Sequence, residues 1–517
     1  MRVMVGALLS GAMLIDSMAM AAETPKAAPP QAVETPSPFI QCDGRKGHVG
    51  AGELLGQLLA ISVTAGLASD AFTKDDGNVE KRLSGRAGAD ACNVAMAQET
   101  NEERRTQLLL ARTIHLIEAE DLPAALESVR ELPRLAPVGV QDWAFNAGLG
   151  SSAAYLESVI LVRLDRPAEA EAAALRSAAF APYDLVSQYR VPAHVQLTPT
   201  MSAEKKAYLD QLVRMCPQHL SLRAELHAWV GDYAAAAKDE ADRLKLVQGF
   251  APKAKPMFND ALVALYQMMA GDKDAATTAA RARQGLDAYI AEGGDRSDPA
   301  GVSNVEAMLA FFDIGQLAAQ GRMAEARAAF AGRTRWVAVP PPVVADMFGK
   351  LQANMPTAER TGPWTRTRQD YRDDAMRSNL KLLQNPDLVK NYYAKVANSA
   401  RQSDYARASG SVWKIGAKPR YLARDLPKDV TTYEFINVGP NLWGLSAGEA
   451  VLLHAALIAS ARGFDGFVVP QNRTHIFSSP VRFGNIGTPG FPQSATFRAQ
   501  QVIDELSPRI PEPPMRR

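Results

Sequence analysis

The chain interrupts its helical runs at five short polar turns, and an alanine-rich helix follows each one. The turns are Glu120-Asp121-Leu122-Pro123, Leu164-Asp165-Arg166-Pro167, Gly231-Asp232-Tyr233, Gly271-Asp272-Lys273 and Gly321-Arg322-Met323. A recurring helix–turn–helix unit is typical of an α-solenoid, because the apolar face of each helix pair is covered only by its neighbours. Such a stack needs roughly three units for stability. We therefore predict a mostly α protein in which residues 46–340 form a helical repeat region.

Small residues recur at matching positions in these units. Near the start of each second helix stands an alanine: Ala125, Ala170, Ala236, Ala276 and Ala326. Twelve positions earlier, in the first helices, stand Thr113, Ser158, Ala224, Ala264 and Ile314, of which all but Ile314 are small. Twelve positions after Ala125 and Ala170 stand Pro137 and Pro182, and proline cannot continue a helix. The pattern predicts that the two helices of a unit cross closely at these small residues.

This spacing resembles the tetratricopeptide repeat, in which a small residue, an alanine and a proline follow one another at these intervals. Ser158, Ala170 and Pro182 match it most completely. The anchor alanines are 40 to 66 residues apart, whereas the family repeat is about 34 residues long. The resemblance covers roughly residues 100–335 and implies degenerate repeats with longer helices and inserted loops.

The resemblance also implies a concave groove that binds a peptide or a helix of a partner protein. Side chains on the first helix of each pair would give such a groove its specificity. The candidate groove residues are Arg112, His115, Arg163, Arg223, His227 and Gln267. The alternative for each of them is an ordinary solvated position.

The N-terminal residues predict export. Residues 1–22 have a basic start, an apolar core from Val3 to Ile15 and the cleavage-like sequence Ala19-Met20-Ala21. Residues 23–45 are rich in proline and alanine, which predicts an extended linker. These features indicate a periplasmic or secreted protein, and the alternative is the unprocessed N-terminus of a cytoplasmic one.

The three cysteines are compatible with an oxidising compartment. Cys42 and Cys92 flank one N-terminal segment and are candidates for a disulfide. Cys216 would then be left over as a small buried apolar residue.

Charge and hydropathy restrict the partners. Basic and acidic residues nearly cancel, with a formal net charge of +1, so nothing favours a nucleic-acid partner. After the signal, the most apolar run is Leu54–Ala68, with Gly52 and Gly56 in a G-x-x-x-G pattern beside it. The run is too short for a membrane span, so we predict a helix buried against the first repeat rather than a membrane segment.

The composition changes after the repeats. Residues 341–404 predict a helical extension and linker, with helices over about Val343–Asn354 and Asp374–Ala400. Residues 405–517 predict a small α+β domain. Its elements are a strand over Thr431–Val438, a helix over Ala447–Ala461 capped by Ser446 and Glu449, strands over Phe464–Val469 and Val481–Phe483, and a last helix over Ala495–Leu506.

One part of this domain resembles a small domain of bacterial envelope lipoproteins, in which an alanine-rich helix ends in a Gly-aromatic-Asp-x-Phe-Val-Val strand. The matching residues are Ala455, Ala456, Gly463, Phe464, Asp465, Phe467, Val468 and Val469. That family has no assigned activity, so the resemblance implies an envelope location only. Because the apolar strand and its helix predict a separate core, we expect residues 1–400 and 405–517 to fold independently.

Catalytic motifs are weak. Cys216, His219 and His227 could in principle meet at a metal, but they lack a recognised spacing. Exported cell-wall lytic enzymes pair an α-superhelix with a catalytic Glu-Ser, but here Glu127-Ser128 and Glu157-Ser158 both lie in the repeats. We therefore predict no catalytic residue, metal or cofactor.

The sequence favours an exported, non-catalytic scaffold that binds a protein or peptide of the bacterial cell envelope, rather than a small-molecule substrate. The alternatives are an envelope or cell-wall hydrolase whose site is not evident in the sequence, and a structural spacer.

Overall fold

The computed structural model describes residues 36–45, 81–135, 142–250, 256–294, 301–333, 336, 338–385, 412, 434–437, 445–469 and 478–512. The predicted signal, most of the predicted linker, Leu54–Ala68 and Pro137 lie outside these residues.

Helices dominate the described residues up to 385. They are α1 (Pro38–Asp43), α2 (Gly85–Gln98), α3 (Glu102–Glu118), α4 (Leu122–Glu131), α5 (Asp142–Phe145), α6 (Ser151–Arg163), α7 (Pro167–Phe180), α8 (Leu185–Tyr189), α9 (Val191–His194), α10 (Ala203–Met215), α11 (Leu220–Trp229), α12 (Tyr233–Phe250), α13 (Met257–Ala270), α14 (Ala275–Ala291), α15 (Val302–Ala319), α16 (Met323–Ala331), α17 (Pro341–Gln352) and α18 (Arg368–Leu383). A π-helical turn over Asn146–Gly150 joins α5 to α6. Within the described residues, none of the helices has both the length and the apolar character that crossing a membrane requires.

The five turns noted in the sequence share one backbone geometry. Each places a residue in the left-handed region, with φ between 57° and 83°: Glu120, Asp165, Gly231, Gly271 and Gly321. The next amide donates to the carbonyl five residues earlier, as in Arg166 N to Leu161 O at 2.9 Å. This is the Schellman arrangement, which satisfies carbonyl groups that a helix end otherwise leaves without donors.

These turns join antiparallel helix pairs. In the pair α6–α7, the Ser158 hydroxyl donates to the Ala170 carbonyl at 2.6 Å. Ser151, at the start of α6, exchanges hydrogen bonds with Ser177, near the end of α7. Small side chains at both crossing points let the backbones approach this closely.

The predicted crossing residues are buried in four of the five units. They are Thr113, Ser158, Ala224, Ile314, Ala125, Ala170, Ala236 and Ala326. In the fourth unit Ala264 is buried, but Ala276 is exposed, so its predicted position is wrong. The turn there is longer, with Asp274 as the N-cap of α14, and Ala275 and Ala279 point inward instead.

The N-terminal helix α1 is attached to α2 and α3 by covalent and ionic contacts. Cys42 and Cys92 are joined by a disulfide. The buried carboxylate of Asp43 accepts two hydrogen bonds from Arg104, one of them 2.8 Å long. Cys216 is buried and not bonded to another cysteine.

The helices after residue 340 turn back along the earlier ones. Gln384 Nε2, just past α18, donates to the Val162 carbonyl at 3.1 Å, and Arg372 donates to the Trp229 carbonyl at 2.8 Å. Both carbonyls lie in the last turn of a helix, where acceptors lack intrahelical donors. Helix α18 therefore covers the C-terminal ends of α6 and α11.

Helix α18 begins earlier than the sequence predicted. It starts at Arg368, six residues before the expected Asp374. The Thr367 hydroxyl accepts from the Asp370 amide while the Asp370 carboxylate accepts from the Thr367 amide, which forms a capping box. Residues 386–400 of the predicted helix lie outside the described residues.

The C-terminal region contains a small antiparallel sheet. Its described elements are β1 (Glu434–Asn437), α19 (Leu445–Ala461), β2 (Gly466–Val468), β3 (Ser478–Gly484), β4 (Thr496–Arg498) and α20 (Ala499–Leu506). The strand order is β1-β3-β2-β4. The prediction of a mostly α protein with a small α+β region near the C-terminus is confirmed.

Two details of this region differ from the prediction. Residues 496–498 form β4 rather than the start of the last helix, because they pair with β2 through Gly466↔Arg498 and Val468↔Thr496. Helix α19 begins at Leu445, before the predicted cap Ser446, and the Glu449 carboxylate accepts from Arg509 Nη1 at 2.8 Å.

The two regions share their apolar cores. Val468 in β2 packs in one cluster with helical-region residues Val213, Leu220 and Leu246. Phe467 and Val469, on the other face of that strand, pack with α19 in a cluster that also contains Tyr183, Met215 and Cys216.

Polar contacts join the regions as well. The Tyr183 hydroxyl donates to Glu505 Oε2 at 2.9 Å, and the Ser494 hydroxyl donates to Asp242 Oδ2 at 2.5 Å. These contacts argue against independent folding of the two regions. The apolar strand is covered on both faces, as its composition predicted, and one cover is the helical region itself.

Candidate binding groove

The six groove residues expected from the sequence do not line one surface. His115 is fully buried on α3, where its Nε2 donates to the Cys42 carbonyl at 2.7 Å. Its Nδ1 lies 3.1 Å from the Glu118 carboxylate. Burial raises the pKa of Glu118, but hydrogen bonds from His115, Arg82 and the Gly85 amide outweigh burial and lower it to about 2. The expected groove position is wrong for His115, which instead anchors α1.

The two arginines Arg163 and Arg223 are engaged within the chain. Arg163 donates to the Ile117 carbonyl at 3.2 Å and pairs with Glu120. Arg223 donates twice to Asp239, both at 2.7 Å, and once to Asp210 at 2.8 Å. Both guanidinium groups therefore join neighbouring parts of the chain.

The remaining three lie on three different helices. His227, on α11, has Nδ1 3.7 Å from Asp232, and burial lowers its pKa. Arg112 and Gln267 are half-buried on α3 and α13.

A groove of about 700 Å³ lies instead between α7 and α10, and none of those six residues lines it. Its lining residues are Ala168, Glu171, Ala172, Leu175, Arg176, Ala178, Ala179, Pro182, Ser187, Thr198, Thr200, Ser202, Glu204, Ala207, Tyr208, Gln211 and Leu212. Most of them are small or apolar, and exposed alanines on both helices leave the groove open to solvent.

Helix α7 forms this groove because both of its faces are made of small side chains. Pro167 occupies its first turn, where a missing amide proton costs nothing. The inner face, which includes Ala170, packs against α6. The outer face presents a partly exposed stripe with alternating steps of four and three residues: Ala168, Ala172, Leu175 and Ala179. This is the spacing of a helix seam that receives side chains of another helix.

One end of the groove is fixed by a buried ion pair. Lys205, fully buried on α10, contacts Glu171 on α7 at 2.9 Å and donates to the Thr198 carbonyl at 3.0 Å. The Thr198 amide and hydroxyl both donate to Glu171. Burial raises the pKa of Glu171 and lowers that of Lys205, and the opposite charge of each partner opposes the shift. Losing one partner would leave a buried charge, at a cost of roughly 3–5 kcal/mol.

The other end of the groove is fixed by the side chain of Tyr208. The Tyr208 hydroxyl donates to the Ser187 carbonyl at 2.6 Å, and burial raises its pKa well above the ordinary value. Gln211 receives a hydrogen bond from Arg214 on its carbonyl oxygen, while its buried Nε2 has no acceptor among the described residues. The hydrogen bonds at the two ends therefore hold the walls of the groove in place.

A contact between a serine and a histidine, of the kind seen in catalytic pairs, lies elsewhere among the described residues. His194 Nδ1 is 2.5 Å from the Ser158 hydroxyl, but that hydroxyl donates its proton to the Ala170 carbonyl. Both residues are buried, and burial lowers the pKa of His194 to about 4. This geometry connects α6, α7 and α9 rather than activating a nucleophile.

The two Glu-Ser pairs noted in the sequence also make contacts that join helices. Glu157 pairs with Arg130 and Arg176, and Ser128 accepts a hydrogen bond from Thr113. Across the described ranges, no group of three or more metal-ligand side chains converges on a common point.

Sequence reasoning missed the groove because it looked for polar side chains on the first helices. The available signal was the composition of Pro167–Phe180, in which half of the 14 residues are alanine. Packing against α6 alone does not require small residues around the whole helix. The excess of alanine therefore indicates a second contact surface on α7.

Comparisons with protein-family models, curated proteins and solved structures found no match to this chain. The resemblances to the tetratricopeptide repeat and to the lipoprotein domain therefore stay predictions.

Proposed function

We propose that this chain is an exported, non-catalytic scaffold that captures a protein or peptide of the bacterial cell envelope in the groove between α7 and α10. The observation that carries the proposal is an apolar groove whose two ends are held apart by the Glu171–Lys205 pair and the Tyr208–Ser187 hydrogen bond. A groove that is already formed loses little conformational entropy on binding, which favours affinity.

The lining chemistry favours a protein segment over a small polar substrate. Alanine and leucine side chains supply most of the wall, and polar groups stand mainly at the two ends. Leu175 is already partly buried, so covering the rest of its side chain would contribute less than the roughly 1.5–3 kcal/mol of a fully exposed leucine.

Export is the second part of the proposal. Its support is the signal-like sequence at residues 1–22 together with the Cys42–Cys92 disulfide, since disulfides persist in oxidising compartments. N-terminal sequencing of the protein from its native host tests this part. An intact Met1 contradicts it.

The binding role is tested with one groove-filling variant. Ala172 is exposed in the groove, so Ala172→Trp fills the space without disturbing the core. Ala276→Trp, at an exposed alanine on α14 outside the groove, is the matched control.

Both variants and the wild type are immobilised and exposed to envelope extract, and bound proteins are quantified. We expect the wild type and Ala276→Trp to retain the same proteins and Ala172→Trp to lose them. Equal retention by all three would exclude the groove. Retention of nothing by any of them would favour the spacer alternative.

A further inference from the structure

We propose that α18 is a strap across one end of the groove, and that the C-terminal half of this helix is poised to release. The attached strap joins the two parts of the chain that lead into the groove walls. This inference rests on the proposed function for its biological role, to which it adds a regulating device. The release itself can be measured without any partner.

The strap contacts the chain just before each wall of the groove. Gln384 Nε2, just past α18, donates to the Val162 carbonyl at 3.1 Å, and Asn379 Nδ2 donates to the Gln196 carbonyl at 3.2 Å. Beyond Val162 the chain turns directly into α7, which is one wall. Gln196 lies two residues before Thr198, which lines the groove at the end that holds the buried ion pair. Helix α18 therefore joins both sides of the groove at this end.

The N-terminal half of α18 is firmly held. Its first turn is closed by the capping box described above. Arg368 Nε donates to Asp346 Oδ1 on α17 at 2.6 Å. Arg372 donates to the Trp229 carbonyl, and its guanidinium also lies over the Trp229 ring. The start of the helix is thus fixed to α11 and α17.

The C-terminal half has weaker contacts. No residue of α18 is fully buried, whereas 11 of the 13 residues of α6 are buried. Met376, Leu380 and Leu383 are half-buried against the helical core, and Leu382 is 69% exposed. Among the described residues, no ion pair links residues 375–383 to another helix. A segment with so few buried apolar contacts opens locally at low free-energy cost.

Release of this half would act on the groove through the segment that contains Thr198. The Thr198 amide donates to Glu171 on α7, and its carbonyl accepts from Lys205 on α10. Without the strap, the segment loses its attachment at Gln196, and this polar network loosens. A groove that is well formed only while the strap is attached binds with an affinity reduced by the released fraction. The strap therefore sets how much of the protein is competent to bind.

The test is hydrogen exchange, measured by mass spectrometry on the purified full chain. The loosened variant carries Asn379→Ala and Gln384→Ala, which remove both contacts with the chain beside the groove. Alanine favours a helix more than asparagine does, so faster exchange in this variant reports lost contacts and not lost helix propensity. The matched control is Lys381→Ala, because Lys381 is exposed on α18 and makes no hydrogen bond or ion pair among the described residues.

We expect the amides of residues 375–383 in the wild type to exchange at least about tenfold faster than those of α6, because they open locally. The loosened variant should exchange there about tenfold faster again, as expected for the loss of two ordinary hydrogen bonds. Residues 198–206 should also exchange faster in this variant, whereas α2 should not change. Lys381→Ala should leave all of these rates unchanged.

Two outcomes would overturn the proposal. If residues 375–383 exchange as slowly as α6 in the wild type, the strap does not release. If the loosened variant exchanges faster in residues 375–383 but not in residues 198–206, the strap does not act on the groove. In either case, extract capture that still depends on Ala172 would leave the proposed function intact.

Discussion

Two of the five left-handed turn positions are not glycine, and this difference has a measurable cost. For a residue with a Cβ atom, the left-handed conformation costs roughly 1–2 kcal/mol. Glycine avoids this steric cost but loses more backbone conformational entropy on folding. Asp165 has φ 57°, and Gly231 occupies the equivalent position with φ 83°. A Cβ added to Gly231 would meet no atom within 4 Å, so only the backbone conformation opposes it.

We therefore expect Asp165→Gly to raise the free energy of unfolding by up to about 1 kcal/mol, and Gly231→Ala to lower it by about 1 kcal/mol. Urea denaturation measures both. A loss of stability in Asp165→Gly would show that its side chain matters more than its backbone conformation.

Buried histidines should make the protein sensitive to mild acid. Burial lowers the pKa of His194 and that of His454 to about 4. Above pH about 7.5 both are almost entirely neutral in the folded and unfolded states and hardly affect stability. Between pH 6.5 and 4 the unfolded chain binds protons that the folded chain does not, so stability falls as the pH falls, by up to about 3 kcal/mol per histidine.

His194→Gln removes one of these groups. The variant should lose less stability than the wild type between pH 7.5 and 5, as measured by urea denaturation at each pH. Parallel pH profiles would show that His194 is not protonated on unfolding.

At this scale the sequence predicted residue types better than residue roles. The cysteine pair could be anticipated because covalent chemistry depends on few neighbours. Arg163 and Arg223 were expected to face a partner, but their ion-pair partners Glu120 and Asp239 are set by how helices pack, which the sequence does not display.

At the scale of elements, α7 has one face that packs and one that lines the groove. Ala170 is fully buried where α6 and α7 cross, and its carbonyl accepts the Ser158 hydroxyl. Ala276 was expected to be its counterpart in α14 but is exposed. The same substitution can therefore be compared at Ala170, which is tightly packed, and at Ala276, which is exposed.

We expect Ala170→Leu to lower the free energy of unfolding by about 1–3 kcal/mol through overpacking. Ala276→Leu should change it by less than about 0.5 kcal/mol. Thermal and urea denaturation of both variants test this. Similar effects at the two sites would contradict the packing described for α7 and α14.

Helices were more predictable than strands for a physical reason. Helix signals such as turn residues and apolar periodicity are local, so the five turns were located correctly. Residues 496–498 form a strand because they pair with Gly466–Val468, some 30 residues away. A short segment of this kind follows its tertiary partner rather than its own propensity.

At the scale of the whole molecule, the C-terminal sheet and the helical region complete each other's cores. Val213, Leu220 and Leu246 on the helical side cover Val468 and Phe491 on the sheet side. Separation would expose both surfaces to water. The sequence did show that the strand needs cover on both faces, but not which part of the chain supplies it.

We therefore expect the full chain to unfold in one calorimetric transition, and residues 405–517 expressed alone to remain unfolded. Val468→Asp would place an unpaired charge in the shared core and should lower the melting temperature of the entire protein. Two separate transitions, or a folded C-terminal fragment, would contradict this.

The attachment of α1 determines how the molecule would respond to a pulling force. The disulfide links Cys42 to Cys92, within the middle of α2, across a sequence separation of 50 residues. Tension applied to the chain before Cys42 would pass through this covalent bond directly into α2, and the residues between the two cysteines would carry none of it. Four of the six residues of α1 precede Cys42, so the hydrogen bonds of this helix would be loaded before the disulfide. The force would thus enter the helical region at a fixed point in its first long helix. The region would resist extension there until α2 itself unfolded.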